Sequence, residues 1–236
     1  MESNVAQLAM HDRLWAWFET HRKEVVWGAV VVVVAGFGTG FFVWRHGERE
    51  SDANEALSRL TSRGSSNPET LELPESLLKV AADYPNTDAG GRALLLAGAH
   101  SYAQGKYPEA KMQFERYLRE YRGSSFADQA LFGVAVCLDA QGKTAETVVA
   151  YNDIIQHYPT ENVAPQSRFA LARIYEKQGK LDQARDIYTE LSRANAFGSI
   201  SSEAGMRLEE LFTKHPDQVL ARRVSTNVPT INLPKP

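Results

Sequence analysis

The chain has 236 residues, with 26 Lys and Arg against 29 Asp and Glu, a formal net charge of −3 and a single cysteine. That balance lacks the basic stripe a nucleic-acid binder needs, and one cysteine excludes an internal disulfide. With 43% hydrophobic residues, the chain is long enough for a sizeable core.

Residues 25 to 44 read VVWGAVVVVVAGFGTGFFVW, with no charge among them. At ~1.5 Å rise per residue, a helix of this length spans the roughly 30 Å hydrocarbon layer of a bilayer. Trp27 and Trp44 stand near its two ends, at the level indoles favour, with Arg22, Lys23 and Arg45 just outside. A cleaved secretory signal would have a shorter apolar run, ~7–15 residues, and a small-residue cleavage site. Here Trp44-Arg45-His46 follows instead. A lipoprotein signal needs a cysteine after the run, and the one cysteine is Cys137. The sequence therefore predicts a single-pass anchor over 25–44, with a tail of residues 1–24. The spacing Gly36-x-x-x-Gly40 lets two membrane helices touch closely and so allows a homo-oligomer. Orientation is left open, because Arg13, Arg22 and Lys23 on one side nearly balance Arg45, Arg49, Arg59 and Arg63 on the other.

Residues 5–24 mix Leu8, Leu14, Trp15, Trp17 and Phe18 with polar residues, which suits either a surface helix or an irregular tail. Beyond the span, residues 48–63 carry Ala53, Ala56, Leu57 and Leu60 at helical spacing, broken by Gly64-Ser-Ser-Asn-Pro68. Pro74 opens a further helix with Leu77, Leu78, Ala81 and Tyr84 on one side, closed by Pro85. Residues 45–85 are read as a degenerate first helix pair.

From there the chain repeats. Gln-Gly-Lys recurs with its glycines at 105, 142 and 179, 37 apart both times. Tyr84-Pro85, Tyr121-Arg122 and Tyr158-Pro159 keep the same period. Two independent markers in one register define a repeat. Each period holds two apolar-periodic runs around the glycine. Leu94, Ala97, Gly98 and Ser101 precede the first glycine, and Tyr107, Ala110, Phe114, Tyr117 and Leu118 follow it. Small residues recur at Gly98, Ala135 and Ala172, where two helices must approach. Residues 202–214 are expected to form a closing helix and 215–236 a loose tail.

These positions resemble the tetratricopeptide repeat. Its small residue, turn glycine, second small residue and aromatic fall on Gly98, Gly105, Ala110 and Phe114, then Ala135, Gly142, Thr147 and Tyr151, then Ala172, Gly179, Ala184 and Tyr188. Thr147 departs from the expected alanine, Arg122 and Ala196 from the expected proline, and Leu94, Leu131 and Arg168 from the usual tryptophan. The resemblance implies an all-α fold: one membrane helix, then an α-solenoid of helix pairs over 86–214. A single span followed by such repeats is similar to the ancillary subunit of the Sec translocon. The repeats also resemble those of the Tol–Pal cell-division coordinator and of outer-membrane assembly lipoproteins. The first likeness implies a bacterial inner-membrane protein with a cytoplasmic tail and a periplasmic solenoid. Its role would be to escort exported proteins beside the translocon. The alternative is a scaffold for an envelope or cell-division complex.

In each first helix one face is spent on the core, and the face ~130° away at 100° per residue points into the groove. That face carries Arg92, Leu95, Ala99 and Tyr102, then Gln129, Phe132, Val136 and Asp139, then Gln166, Phe169, Arg173 and Glu176. Leu95, Phe132 and Phe169 form a ladder at one repeat position, either a binding surface for apolar protein segments or packing against the next repeat. No catalytic motif, cofactor signature or metal-ligand spacing accompanies them. The six histidines are scattered, and Cys137 reads as a small buried hydrophobe. The sequence thus points to a protein-binding module and away from an enzyme.

Overall fold

The structure is a computed structural model that describes residues 17, 21–66, 73–194 and 198–216. The chain divides into two compact units, Met1–Glu55 and Ala56–Pro236. Among the described residues nine helices are seen and no strand. The expectations for residues 5–16, for the Asn67-Pro68 break, for Ala196 and for the tail from 217 on lie outside the described residues.

Helix α1 runs from Arg22 to Ser66. The sequence suggested a span and then a second helix from residue 48, but the helix continues through Trp44-Arg45-His46-Gly47. Gly47 alone costs a helix about 1 kcal/mol relative to alanine, too little to end one, and no proline stands nearby. The stretch Val26–Ser62 contains a window of mean hydropathy 2.1, none of it buried. Trp27 and Trp44 are 70% and 62% exposed. A core helix of this composition would be covered by its neighbours; this helix is long and apolar enough to cross a membrane, and among the described residues nothing covers its apolar window.

The second unit is built from helix pairs. Helix α2 (Leu73–Asp83) buries Leu77, Val80 and Ala81. Leu78 and Tyr84 are only half-buried, so Val80 takes more of the core face than the sequence indicated. Then follow α3 (Asp88–Ala103), α4 (Tyr107–Glu120), α5 (Ala127–Ala140), α6 (Thr144–His157), α7 (Val163–Lys177), α8 (Leu181–Arg193) and α9 (Ser199–Lys214). Each helix from α2 onward packs on the next, and α3, α5, α7 and α9 also approach one another in turn. Helices α3, α5, α7 and α9 thus form one layer of the solenoid.

Three turns join α3 to α4, α5 to α6 and α7 to α8, and they are copies. Gly105, Gly142 and Gly179 have φ of +76°, +72° and +71°. An added Cβ would meet nothing there, so the backbone conformation alone demands glycine. In each turn the following lysine N–H reaches back to a helix carbonyl: Lys106 to Ser101, Lys143 to Leu138 and Lys180 to Tyr175, at 2.9, 3.0 and 2.9 Å. The orphan carbonyls at each helix end are met by the same device three times.

Most of the expected core positions are buried, whereas Tyr107, Leu118, Leu131, Val134, Val148, Ile155 and Tyr175 are half-buried and Met206 of the closing helix is exposed. Leu94, Ala97, Ala110, Ala135, Ala172, Ala184, Tyr188 and Thr147 are 0% exposed. Thr147 fits where alanine was expected because its hydroxyl donates to the Lys143 carbonyl at 2.9 Å, leaving no unmet polar group. Each cluster combines a pair with the start of the next. Ala135, Tyr151 and Ile154 pack with Val163 and Ile174 of α7. At the solenoid's start, Thr87 caps α3 by accepting from the Gly90 N–H at 3.0 Å.

Candidate functional site

The inner layer opens into a cleft of about 620 Å³ centred on α5, walled by α3 on one side and the start of α7 on the other. Leu95, Leu96, Phe132, Gly133 and Val136 contribute its apolar surface, and Gln129 and Gln166 add amide groups. Leu95, Phe132 and Val136 are half-buried and Gln129 is exposed. Half-burial is what a pocket wall needs: one side of the ring is held by the core and the other is left to solvent. Phe132 lies 6.0 Å, centroid to centroid, from the buried ring of Tyr151.

Two glycines create the room. Phe114 of α4 is buried between Gly98 of α3 and Gly133 of α5. A Cβ on Gly98 would come within 2.9 Å of its ring, and one on Gly133 within 2.7 Å. No real Cβ contact is that short, so the ring reaches the cleft only because both helices lack a side chain there. Beneath it sits Cys137, fully buried with Ala110 and Phe114. Burial pushes its thiol up to about 11, with Lys111 opposing, so at neutral pH it is a hydrophobe and not a nucleophile.

Of the residues named from the sequence, Leu95, Tyr102, Gln129, Phe132 and Gln166 line this one cleft, as do Ala99 and Val136. The others do not join them. Arg92 is exposed, with its guanidinium 5.7 Å from the centroid of the Phe126 ring. Phe169 is half-buried against the next cluster, 5.7 Å from the Tyr188 ring. Glu176 accepts a hydrogen bond from the Tyr188 hydroxyl at 3.0 Å. Asp139 and Arg173 are exposed. Burial raises the Tyr102 phenol above its ordinary value, helped by Tyr107 and Asp139 and opposed by Arg173. Gly36 and Gly40 lie on α1 in an open notch edged by Phe37, Phe41 and Trp44.

Sequence reasoning named Phe114 as a core aromatic without placing it at the cleft, and missed Gly133, Asp128, Glu161 and Asn162, all of which line it. A glycine inside an apolar helix run was a readable sign of close approach at Gly133. The loop residues Glu161 and Asn162 gave no sign, because helical period says nothing about loops.

The profile of the tetratricopeptide repeat-like domain family matches residues 15–148, and that of the tetratricopeptide repeat matches residues 166–195. No curated protein matches the chain. Among solved structures, the nearly identical repeats of a Podosopora anserina chain assigned as kinesin light chain superpose with a TM-score of 0.55 at 15% identity, covering 76% of this chain and 99% of that one. A tetratricopeptide repeat protein from Parabacteroides merdae gives 0.54 at 15% identity, covering 76% and 67%. At this identity the likeness concerns the fold.

Proposed function

The chain belongs to the tetratricopeptide repeat-like domain family, and from that premise we propose that it is a membrane-tethered protein-binding module, not an enzyme. In this reading residues 25–44 anchor the chain in a bacterial inner membrane with the tail cytoplasmic. The solenoid works on the periplasmic side as a chaperone-like accessory of the Sec translocon. Its partners are translocon subunits and the exported chains they deliver.

The cleft on α5 is the observation that carries the proposal. An extended segment laid along it would move its apolar side chains from water onto Leu95, Phe132 and Val136, worth roughly 25 cal/mol per Å² of apolar surface covered. The amides of Gln129 and Gln166 each offer donors and an acceptor to the segment's backbone, which every sequence possesses. Binding of this kind tolerates many sequences and holds none tightly, as escort of passing chains requires. The exposed apolar surface of α1 supports the tether.

A photo-crosslinking amino acid in place of Gln129, compared with one in place of Val149, tests this directly. Val149 is 69% exposed on α6, away from the cleft residues. Crosslinks to translocon subunits and arrested export intermediates from position 129, and far fewer from 149, are expected. Recovery of one stable envelope or cell-division partner, with no translocating chain, would replace this reading by the scaffold alternative.

A further inference from the structure

The cleft has a one-sided charge. Among the described residues its lining holds two acids, Asp128 and Glu161, and no Lys, Arg or His. Glu161 stands exposed at the edge. Asp128 is only 8% exposed, and its Oδ1 is buried without a hydrogen-bond partner. Native proteins rarely leave a buried polar atom unmet, so each such atom calls for an explanation. Asp128 lies in the first turn of α5, where the helix dipole favours a negative charge but supplies no partner to Oδ1. Of the cations on the flanking helices, the exposed Arg173 of α7 acts on Tyr102 and is not among the residues lining the cleft. Arg92 lies against the Phe126 ring, and Arg168 pairs with Glu190 across α7 and α8 at 3.7 Å.

We propose that the cleft selects extended apolar segments that carry a Lys or Arg, with the cation held by Asp128 and the apolar neighbours lying on Leu95 and Phe132. This rests on the binding reading above and adds a specificity to it. A wholly apolar segment would cover Asp128 and leave it unpaired. An acidic one would meet two carboxylates. A basic group supplies the missing donor, and charge-assisted hydrogen bonds are the strong class. The chain's own residues 219–224, Val-Leu-Ala-Arg-Arg-Val, share this composition and are the competing occupant.

The test uses the full chain in nanodiscs and a set of short fluorescent peptides of alternating Leu and Ser, whose central residue is Lys, norleucine or Glu. Fluorescence anisotropy should show the Lys peptide binding roughly tenfold tighter than the norleucine peptide, and the Glu peptide weakest. Asp128→Asn, which keeps the side-chain shape and removes the charge, should erase the Lys advantage, so that the Lys and norleucine peptides bind alike. Equal affinity of the Lys and norleucine peptides for the unaltered chain would overturn the selectivity while leaving apolar binding in the cleft intact. That comparison needs no variant. Persistence of the Lys advantage in a folded Asp128→Asn chain would also overturn it. Absence of binding by every peptide, both with and without residues 217–236, would overturn both readings. Binding that appears only after removal of residues 217–236 would assign the cleft to the chain's own tail, and the proposal would fall.

Discussion

Helices α5 and α7 occupy equivalent places in successive repeats, 37 residues apart, and their core faces agree almost residue for residue. Ala135 and Ala172 are fully buried, and Tyr151 and Tyr188 lie beneath Phe132 and Phe169 at nearly the same ring distance. Their inner faces differ. Where α5 has Gly133 and Val136 at a cleft, α7 has Ala170 and the exposed Arg173. Where α5 carries an exposed Asp139, α7 carries Glu176 bonded to the tyrosine below. The repeat holds backbone and core constant and leaves the inner face free to vary, so one pair of helices can be a binding surface while its neighbour is support.

The largest test of that difference is Gly133→Ala. The added Cβ meets three atoms of the Phe114 ring at 2.7–2.8 Å, and that ring is held from the other side by Gly98. Overpacking of this kind costs typically ~1–3 kcal/mol, against the ~1 kcal/mol that alanine gains over glycine in a helix. We expect a net loss of up to about 2 kcal/mol in denaturant unfolding followed by circular dichroism. The reverse change at the equivalent place, Ala170→Gly, should cost only about 1 kcal/mol through helix propensity. Adding Phe114→Leu to Gly133→Ala should restore part of the loss. A neutral Gly133→Ala would mean that the cleft does not depend on that close approach.

Much of this was legible in the sequence, and the reason is periodicity. The turn glycines, the small residues and the buried aromatics each satisfy a demand that recurs identically every 37 residues, so each is confirmed by its copies. The cleft was half legible. Helical spacing puts Leu95, Phe132 and Gln129 on one inner face, but it cannot say which neighbours fill the space above them. That depends on side chains arriving from other elements, as Phe114 arrives from α4 and Asn162 from a loop. For the same reason Glu176 looked like a free groove residue until the Tyr188 hydroxyl was seen to reach it. The continuity of α1 through Gly47 escaped notice because the change from apolar to polar composition reads as a boundary, whereas a backbone without proline has no cause to break.

The tyrosine pair sharpens the comparison by a smaller amount. Burial raises both phenols, most strongly in each case through desolvation, with Glu176 adding to the effect at Tyr188 and Asp139 at Tyr151. Tyr188→Phe removes the bond to Glu176 and should cost about 1 kcal/mol at neutral pH. Tyr151→Phe, with no such bond to lose, should be close to neutral there. Because the native state holds both phenols above the ordinary 10.0, their neutral forms stabilise the fold fully below that pH. The contribution drains away as pH rises above it, where the unfolded chain ionises first. Unfolding midpoints measured from pH 8 upward should therefore fall less steeply in either Phe variant than in the unaltered chain. An unchanged alkaline slope would show that neither ring titrates as a buried group.

The smallest expected effect concerns the position where the two helices differ most in kind, Leu131 in α5 and Arg168 in α7. Leu131 packs against the core cluster of its repeat. Arg168 instead reaches Glu190 at 3.7 Å, with side-chain exposures of 24% and 62%. Such a pair loses most of its Coulomb energy to solvent and gives up side-chain entropy to form, which leaves ~0–1 kcal/mol. Replacing Arg168 with the leucine of the preceding repeat removes that pair and adds apolar surface at a site that is already three-quarters covered. The two changes oppose each other, so Arg168→Leu should move stability by less than about 0.5 kcal/mol. A double-mutant cycle with Glu190→Ala, read by denaturant unfolding, separates the pair from the packing. A coupling well above ~1 kcal/mol would make the ion pair a structural element of the third repeat. In that case the cation at this register would be holding α7 to α8, and the departure from leucine would be a requirement of this repeat and not a tolerated variation.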